Sequence, residues 1–167
     1  MVSLKEYASR RLKVTKAMRG AAGVVFAGDQ TGEPEPSWRP HAHFEYLTGI
    51  TNEPGAILLF DPTNPVESRR EVLFLLSRDP EVEQWDGLRK PLGSELRKLT
   101  GMKTVLRTRA LSTVLADVTS RTKQLGTLMP LAATNAAVSE DVALWNKVLE
   151  RSPGREIVNY SGIIPKL

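Results

Sequence analysis

The run Phe44-Glu45-Tyr46-Leu47-Thr48-Gly49-Ile50-Thr51-Asn52-Glu53-Pro54-Gly55-Ala56-Ile57-Leu58-Leu59-Phe60 constrains the chain more than any other stretch. An aromatic, β-prone segment meets a Thr-Gly break, then a polar turn carrying Asn52, Pro54 and Gly55. A second apolar segment follows and stops at Asp61-Pro62. β-Branched and aromatic residues bounded by strong turn formers read as strand, turn, strand. The stretch therefore predicts strands over roughly 42–48 and 55–60.

Around it the chain reads in order. Leu4, Tyr7, Ala8, Val14, Ala17 and Met18 recur at steps of three and four, which predicts an amphipathic helix ended by Gly20 and Gly23. Ala-Gly-Val-Val-Phe-Ala at 22–27 predicts a buried strand, and 28–37 a loop. Glu71 to Ser77 is almost entirely apolar and reads as a central strand covered on both faces. Residues 78–89 read as loop or a single turn. A helix over 92–100, a strand over 103–108, a helical stripe at Leu111, Val114, Leu115 and Val118 and a strand over 127–131 follow. Ser139 caps a further helix, with Glu140 and Asp141 in its first turn and Val142, Trp145, Val148 and Leu149 as its apolar face. Strands first, then strands alternating with helices, predict a single α/β domain over 1–167: a mixed β-sheet flanked by helices.

Composition narrows the function. A chain of 167 residues with 41% apolar content can bury one core. It has no cysteine, which removes disulfides, thiolate catalysis and thiolate metal sites together. No apolar run reaches the length of a membrane span and no secretory signal is visible, so the cytoplasm is the expected location. The net charge of +4 is concentrated at the start: residues 1–20 carry Lys5, Arg10, Arg11, Lys13, Lys16 and Arg19 against Glu6. A nucleic-acid binder spreads basic and aromatic residues across its fold. Here the bases read as the solvated face of one helix, in preference to a nucleic-acid patch or a transit peptide.

Two stretches have the residue types of a site. His41 and His43 are the only histidines, and on an extended segment both would face one side, as metal ligands can. No third ligand follows at fixed spacing, and a surface strand edge is the preferred reading. Trp85-Asp86-Gly87-Leu88-Arg89 places a tryptophan and an arginine in a polar loop that no periodicity explains. Such residues anchor interfaces and substrates; the alternative is that Trp85 folds back as a lid on the core. Glu81 and Glu83 read as solvated charges. No phosphate-loop, dinucleotide, nucleophile-elbow or zincin motif is present.

The exact wording of several segments resembles a known family. The basic first helix, the strand at 24–27, Tyr46-Leu47-Thr48-Gly49 with Asn52-Glu53-Pro54, the strand ending in Arg78-Asp79-Pro80, and Glu83-x-Trp85-x-Gly87-x-Arg89 follow one another in the chain. Together they resemble the N-terminal, non-catalytic domain of Xaa-Pro aminopeptidases (aminopeptidase P), of the creatinase/prolidase "pita-bread" metallopeptidases. The match is partial at the tryptophan loop, where Leu88 and Lys90 flank the arginine. It departs at Trp38–Tyr46, which has His43 where the family carries Ser or Asp.

The resemblance implies a parent enzyme that removes the N-terminal residue preceding proline. Its dinuclear manganese centre would lie in a C-terminal domain absent from this chain, with no metal ligand here. It also implies that Trp85 and Arg89 face a substrate entrance, that the partners are the protein's own catalytic domain, neighbouring subunits and peptide, and that neither nucleic acid nor membrane is bound. A second reading is a stand-alone binding or assembly module of the same fold without peptidase activity. A third is a small hydrolase using His41 and His43 with a metal.

Overall fold

The computed structural model describes residues 2–28, 38–128, 143, 146, 149, 150 and 154–167, with the side chains at 82, 85 and 86 outside that description. The chain opens with helix α1 (Leu4–Ala17), whose N-cap Ser3 accepts the Glu6 N–H through its hydroxyl. Arg19 and Gly20, both with positive φ, turn the chain into strand β1 (Ala22–Phe26). Helix α2 (Ala42–Thr48), strands β2 (Ile57–Phe60) and β3 (Glu71–Leu75), and helices α3 (Pro80–Asp86) and α4 (Ser94–Thr100) come next. Strand β4 (Thr104–Arg107), helix α5 (Leu111–Arg121) and strands β5 (Gln124–Thr127) and β6 (Glu156–Asn159) complete it.

The strands form one sheet in the order β4-β3-β2-β1-β5-β6. β2 is antiparallel to both neighbours, whereas β3–β4, β1–β5 and β5–β6 are parallel pairs. β2 therefore runs against the other five, and the C-terminal ends of β1, β3, β4, β5 and β6 converge on one end of the sheet. Period-two alternation splits the apolar residues between two faces. Val25, Leu58, Phe60, Leu73 and Leu75 pack under α1, α2 and α4 through Val14, Met18, Phe44, Leu47 and Leu96. Val24, Phe26, Ile57, Leu59, Val72 and Phe74 pack under α5 through Leu111, Leu115 and Val118. The expected mixed sheet between helices is what forms.

The expected strand over 42–48 is instead α2. Phe44, Leu47 and Thr48 are buried at steps of three and four, a helical spacing that the β-prone residue types obscured. The Thr48 hydroxyl donates to the Phe44 carbonyl at 2.8 Å and accepts the Ile50 N–H at 3.1 Å. Gly49, at φ 68°, then donates its N–H to the Glu45 carbonyl and ends the helix. The Thr-Gly pair is thus a helix C-cap, not a hairpin break, and the Tyr7 ring lies where a Cβ on Gly49 would project.

The segment read as loop or a single turn at 78–89 contains α3, opened by Pro80 at a position where a missing N–H costs nothing. β5 ends at Thr127, upstream of the strand expected at 127–131; residues 129–131 lie outside the described ones. Most of the helix expected from Ser139, with Trp145, also lies outside them, although Ala143, Asn146, Leu149 and Glu150 are helical. Of the predicted apolar face of α1, Val14 and Met18 are buried, whereas Leu4, Ala8 and Ala17 are exposed.

Candidate functional site

The end of the sheet where β1, β3, β4 and β5 terminate gathers both stretches singled out in the sequence. Over β3 and β4, the chain leaves Leu75, forms α3 and returns through residues 87–93. Ser77 and Thr108 tie the two strand ends together: Ser77 N–H donates to the Thr108 hydroxyl at 3.2 Å, and Arg109 N–H donates to the Ser77 hydroxyl at 3.1 Å. Glu83 is no solvated charge but a buried one, 6% exposed, which corrects the reading from sequence. It accepts Arg78 Nε and Nη2, each at 3.1 Å to a different oxygen, and the backbone N–H of Arg89. The Arg78 hydrogen bond holds its carboxyl below the usual range. Glu81 is exposed, as expected.

Gly87, at φ 89°, closes α3 and starts a loop in which Leu88 is 81% exposed. Arg107, the last residue of β4 and 8% exposed, donates Nη1 to the Leu76 carbonyl at 3.0 Å and Nη2 to the Lys90 carbonyl. Arg89 Nε is buried and has no partner among the described residues. Glu53, half-buried in the turn before β2, faces this group. Burial pushes its carboxyl above the usual range, while the charges of Arg89, Arg107 and Lys90 pull it down. Burial also lowers the Arg107 guanidinium; Glu53 and Glu83 oppose this, and Arg89 and Arg78 reinforce it. The outcome is a cationic loop with an apolar tip above a carboxylate-balanced bed. Trp85 is in the last turn of α3; its side chain, and with it the choice between interface anchor and core lid, lies outside the described residues.

Over β1 and β5, His41 N-caps α2 and its own N–H donates to the Ala27 carbonyl at 2.8 Å. Its ring Nδ1 accepts the His43 N–H at 3.2 Å, and His43 Nδ1 donates to the Leu128 carbonyl at 2.6 Å. The rings meet edge to face with centroids 5.1 Å apart. Burial and the neighbouring His43 hold His41 below its ordinary value of 6.5. The pair is therefore a helix cap and a loop tether, not a strand edge. Among the described residues no group of three or more histidines, aspartates and glutamates could hold a metal.

Sequence reasoning passed over Glu53 and Arg107. Glu53 sat inside a turn motif whose role looked purely conformational, and Arg107 carried no signal beyond being a base at a strand end. At the opposite end of the sheet a cavity of about 440 Å³ opens between α1 and the connector after β2. Two of its cations are paired within it, Arg11 with Glu71 and Lys103 with Glu67, each at 2.7 Å, and Arg70 donates Nε to the Asn64 carbonyl. It is the weaker candidate.

Residues 7–127 match the family described as aminopeptidase P, N-terminal domain. The chain is 34% identical over 110 residues to Xaa-Pro aminopeptidase 3 of Dictyostelium discoideum, which covers 60% of this chain and 20% of that protein. It is 33% identical over 89 residues to the Xaa-Pro aminopeptidase of Haemophilus influenzae, covering 51% and 20% respectively. In structure it is similar to a Bacillus anthracis chain described as an aminopeptidase P, with a TM-score of 0.76 and 25% identity over 97% of this chain and 39% of that one. The fold also matches aminopeptidase PepP of Pseudomonas aeruginosa, with a TM-score of 0.71 and 24% identity over 98% of this chain and 38% of that one. This chain thus spans about a fifth of the curated relatives and under two-fifths of the solved ones. With more than half of its length matched to one family, the chain belongs to the aminopeptidase P N-terminal domain family.

Proposed function

We propose that this domain serves an Xaa-Pro aminopeptidase, a protein that removes the N-terminal residue preceding proline, by shaping substrate entry and subunit contacts. The observation that carries this reading is the loop after α3: Leu88 stands 81% exposed beside Arg89 and Lys90, while its backbone is held by Glu83 of α3 and by Arg107 at the end of β4. An exposed apolar side chain beside a half-buried arginine, on a supported loop, is what a docking edge requires. Two relatives carry the name Xaa-Pro aminopeptidase, which supports the parent activity.

The dinuclear manganese centre expected of such enzymes does not fit here. The two histidines spend their Nδ1 atoms on backbone groups, and no third ligand joins them among the described residues. We assign the metal to a catalytic domain of the parent and derive no step through it. The partners on this reading are that domain, neighbouring subunits and peptide. No helix among the described residues is long and apolar enough to cross a membrane.

The test is kinetic. In the full-length protein, Trp85→Ala and Arg89→Ala should each lower kcat/KM for short Xaa-Pro peptides by about tenfold. Unchanged constants in both variants would remove the loop from the reaction. The same exposed Leu88 also favours the second reading, a binding module without peptidase activity. On that reading the full-length protein shows no release of the N-terminal residue, while the Leu88→Asp variant loses self- or hetero-association in sedimentation.

A further inference from the structure

We infer that Arg107 is a positioning residue for the Arg89 loop, acting through the backbone on either side of it. This rests on the proposed role of that loop in substrate entry. The loop from Gly87 to Gly93 crosses open surface, with Gly87 in a left-handed conformation and Gly93 extended. Three tethers fix it. Gly87 N–H returns to the Glu83 carbonyl at 3.0 Å, Arg89 N–H goes to the Glu83 carboxylate, and the Lys90 carbonyl accepts Arg107 Nη2. The third tether comes from a different element. The Arg107 guanidinium spans the gap between the end of β3 and the loop, one arm on Leu76 and the other on Lys90. Arg89 thus hangs between a carboxylate anchored in α3 and a guanidinium anchored in β4.

Arg107 is an expensive choice for mere stability. A buried guanidinium is desolvated, and here it faces two further arginines, Arg78 and Arg89, with Glu53 and Glu83 as counter-charges. A buried charge is retained at a desolvation cost that its partners only partly offset, which points to a geometric role for it. The planar fork supplies one, because its two Nη groups hold two carbonyls on separate segments at a spacing set by the rigid guanidinium plane. A lysine ammonium can bond two carbonyls, but its single nitrogen on a flexible stem sets no such spacing.

The deciding experiment pairs kinetics with amide exchange. In the full-length protein, Arg107→Lys and Arg107→Met should lower kcat/KM for short Xaa-Pro peptides by about tenfold, and by less than twofold when Arg89 is already alanine. In this chain both variants should lose protection of the Arg89 amide while the β1 and β2 amides keep theirs. Full activity in Arg107→Lys, or an equal loss in the Arg89→Ala background, overturns the inference. Should Arg89→Ala itself be silent, the entry reading fails separately, and the Arg89 amide alone decides: protection retained in both Arg107 variants overturns the positioning role, and protection lost in them sustains it.

Discussion

Glu53 and Glu83 sit at the same end of the sheet and titrate in opposite directions. Burial dominates at Glu53, so its folded pKa lies above the ordinary value of 4.5. Its favourable contribution is then complete below 4.5 and is lost as pH rises through the folded value. The Arg78 hydrogen bond dominates at Glu83, whose folded pKa lies below 4.5. Its contribution is present above 4.5 and fades as pH falls through that lower value. Glu53→Gln should therefore melt higher than the parent at pH 7, with the gap closing below about pH 4. Glu83→Gln should melt lower at pH 7, again converging in acid. Thermal melts across pH check both; a Glu53→Gln variant less stable at pH 7 would mean that the surrounding cations outweigh burial. Neither sign was legible in the sequence. Two glutamates thirty positions apart look alike until the fold buries one among cations and gives the other an arginine fork.

Between elements, the turn after β2 is latched to the end of α5. Asp61 is 1% exposed and receives Arg121 Nη1 and Nη2 at 3.0 and 2.9 Å, with Asn64 Nδ2 at 2.8 Å and the Thr63 hydroxyl at 3.1 Å. Removing the guanidinium leaves a carboxylate buried with only neutral donors. Arg121→Met should cost about 3 kcal/mol, the lower end for a broken buried pair because Arg121 itself reaches solvent. Urea denaturation measures it, and a cost below about 1 kcal/mol would show that Asn64 and Thr63 suffice. The element scale is also where sequence reading went astray. Phe44 and Tyr46 favour strands by residue type, but α2 buries Phe44, Leu47 and Thr48 on one face against α1 and β1. Packing overrode propensity, as it does when a short segment can satisfy either period.

Across the whole molecule, the two apolar clusters share the same strands. Successive residues of β1, β2 and β3 alternate between them. Neither cluster can melt without stripping the other's sheet, so this chain should unfold in one transition although it spans under two-fifths of its solved relatives. Far-UV circular dichroism and tryptophan fluorescence should give coincident urea curves; separated midpoints would show that one face unravels first. The sequence by itself determined the strands at the centre of the sheet, the helix stripe of α5 and the loop around Arg89, because periodicity and turn chemistry are local; the family followed from the resemblance of its motifs in order. Only the tertiary structure decided that residues 42–48 are helical, that the histidines are spent on caps, and that Arg107 and Glu53 converge on Arg89. Those outcomes depend on which strands lie side by side and which charges lose water, and neither is set by neighbours in the chain.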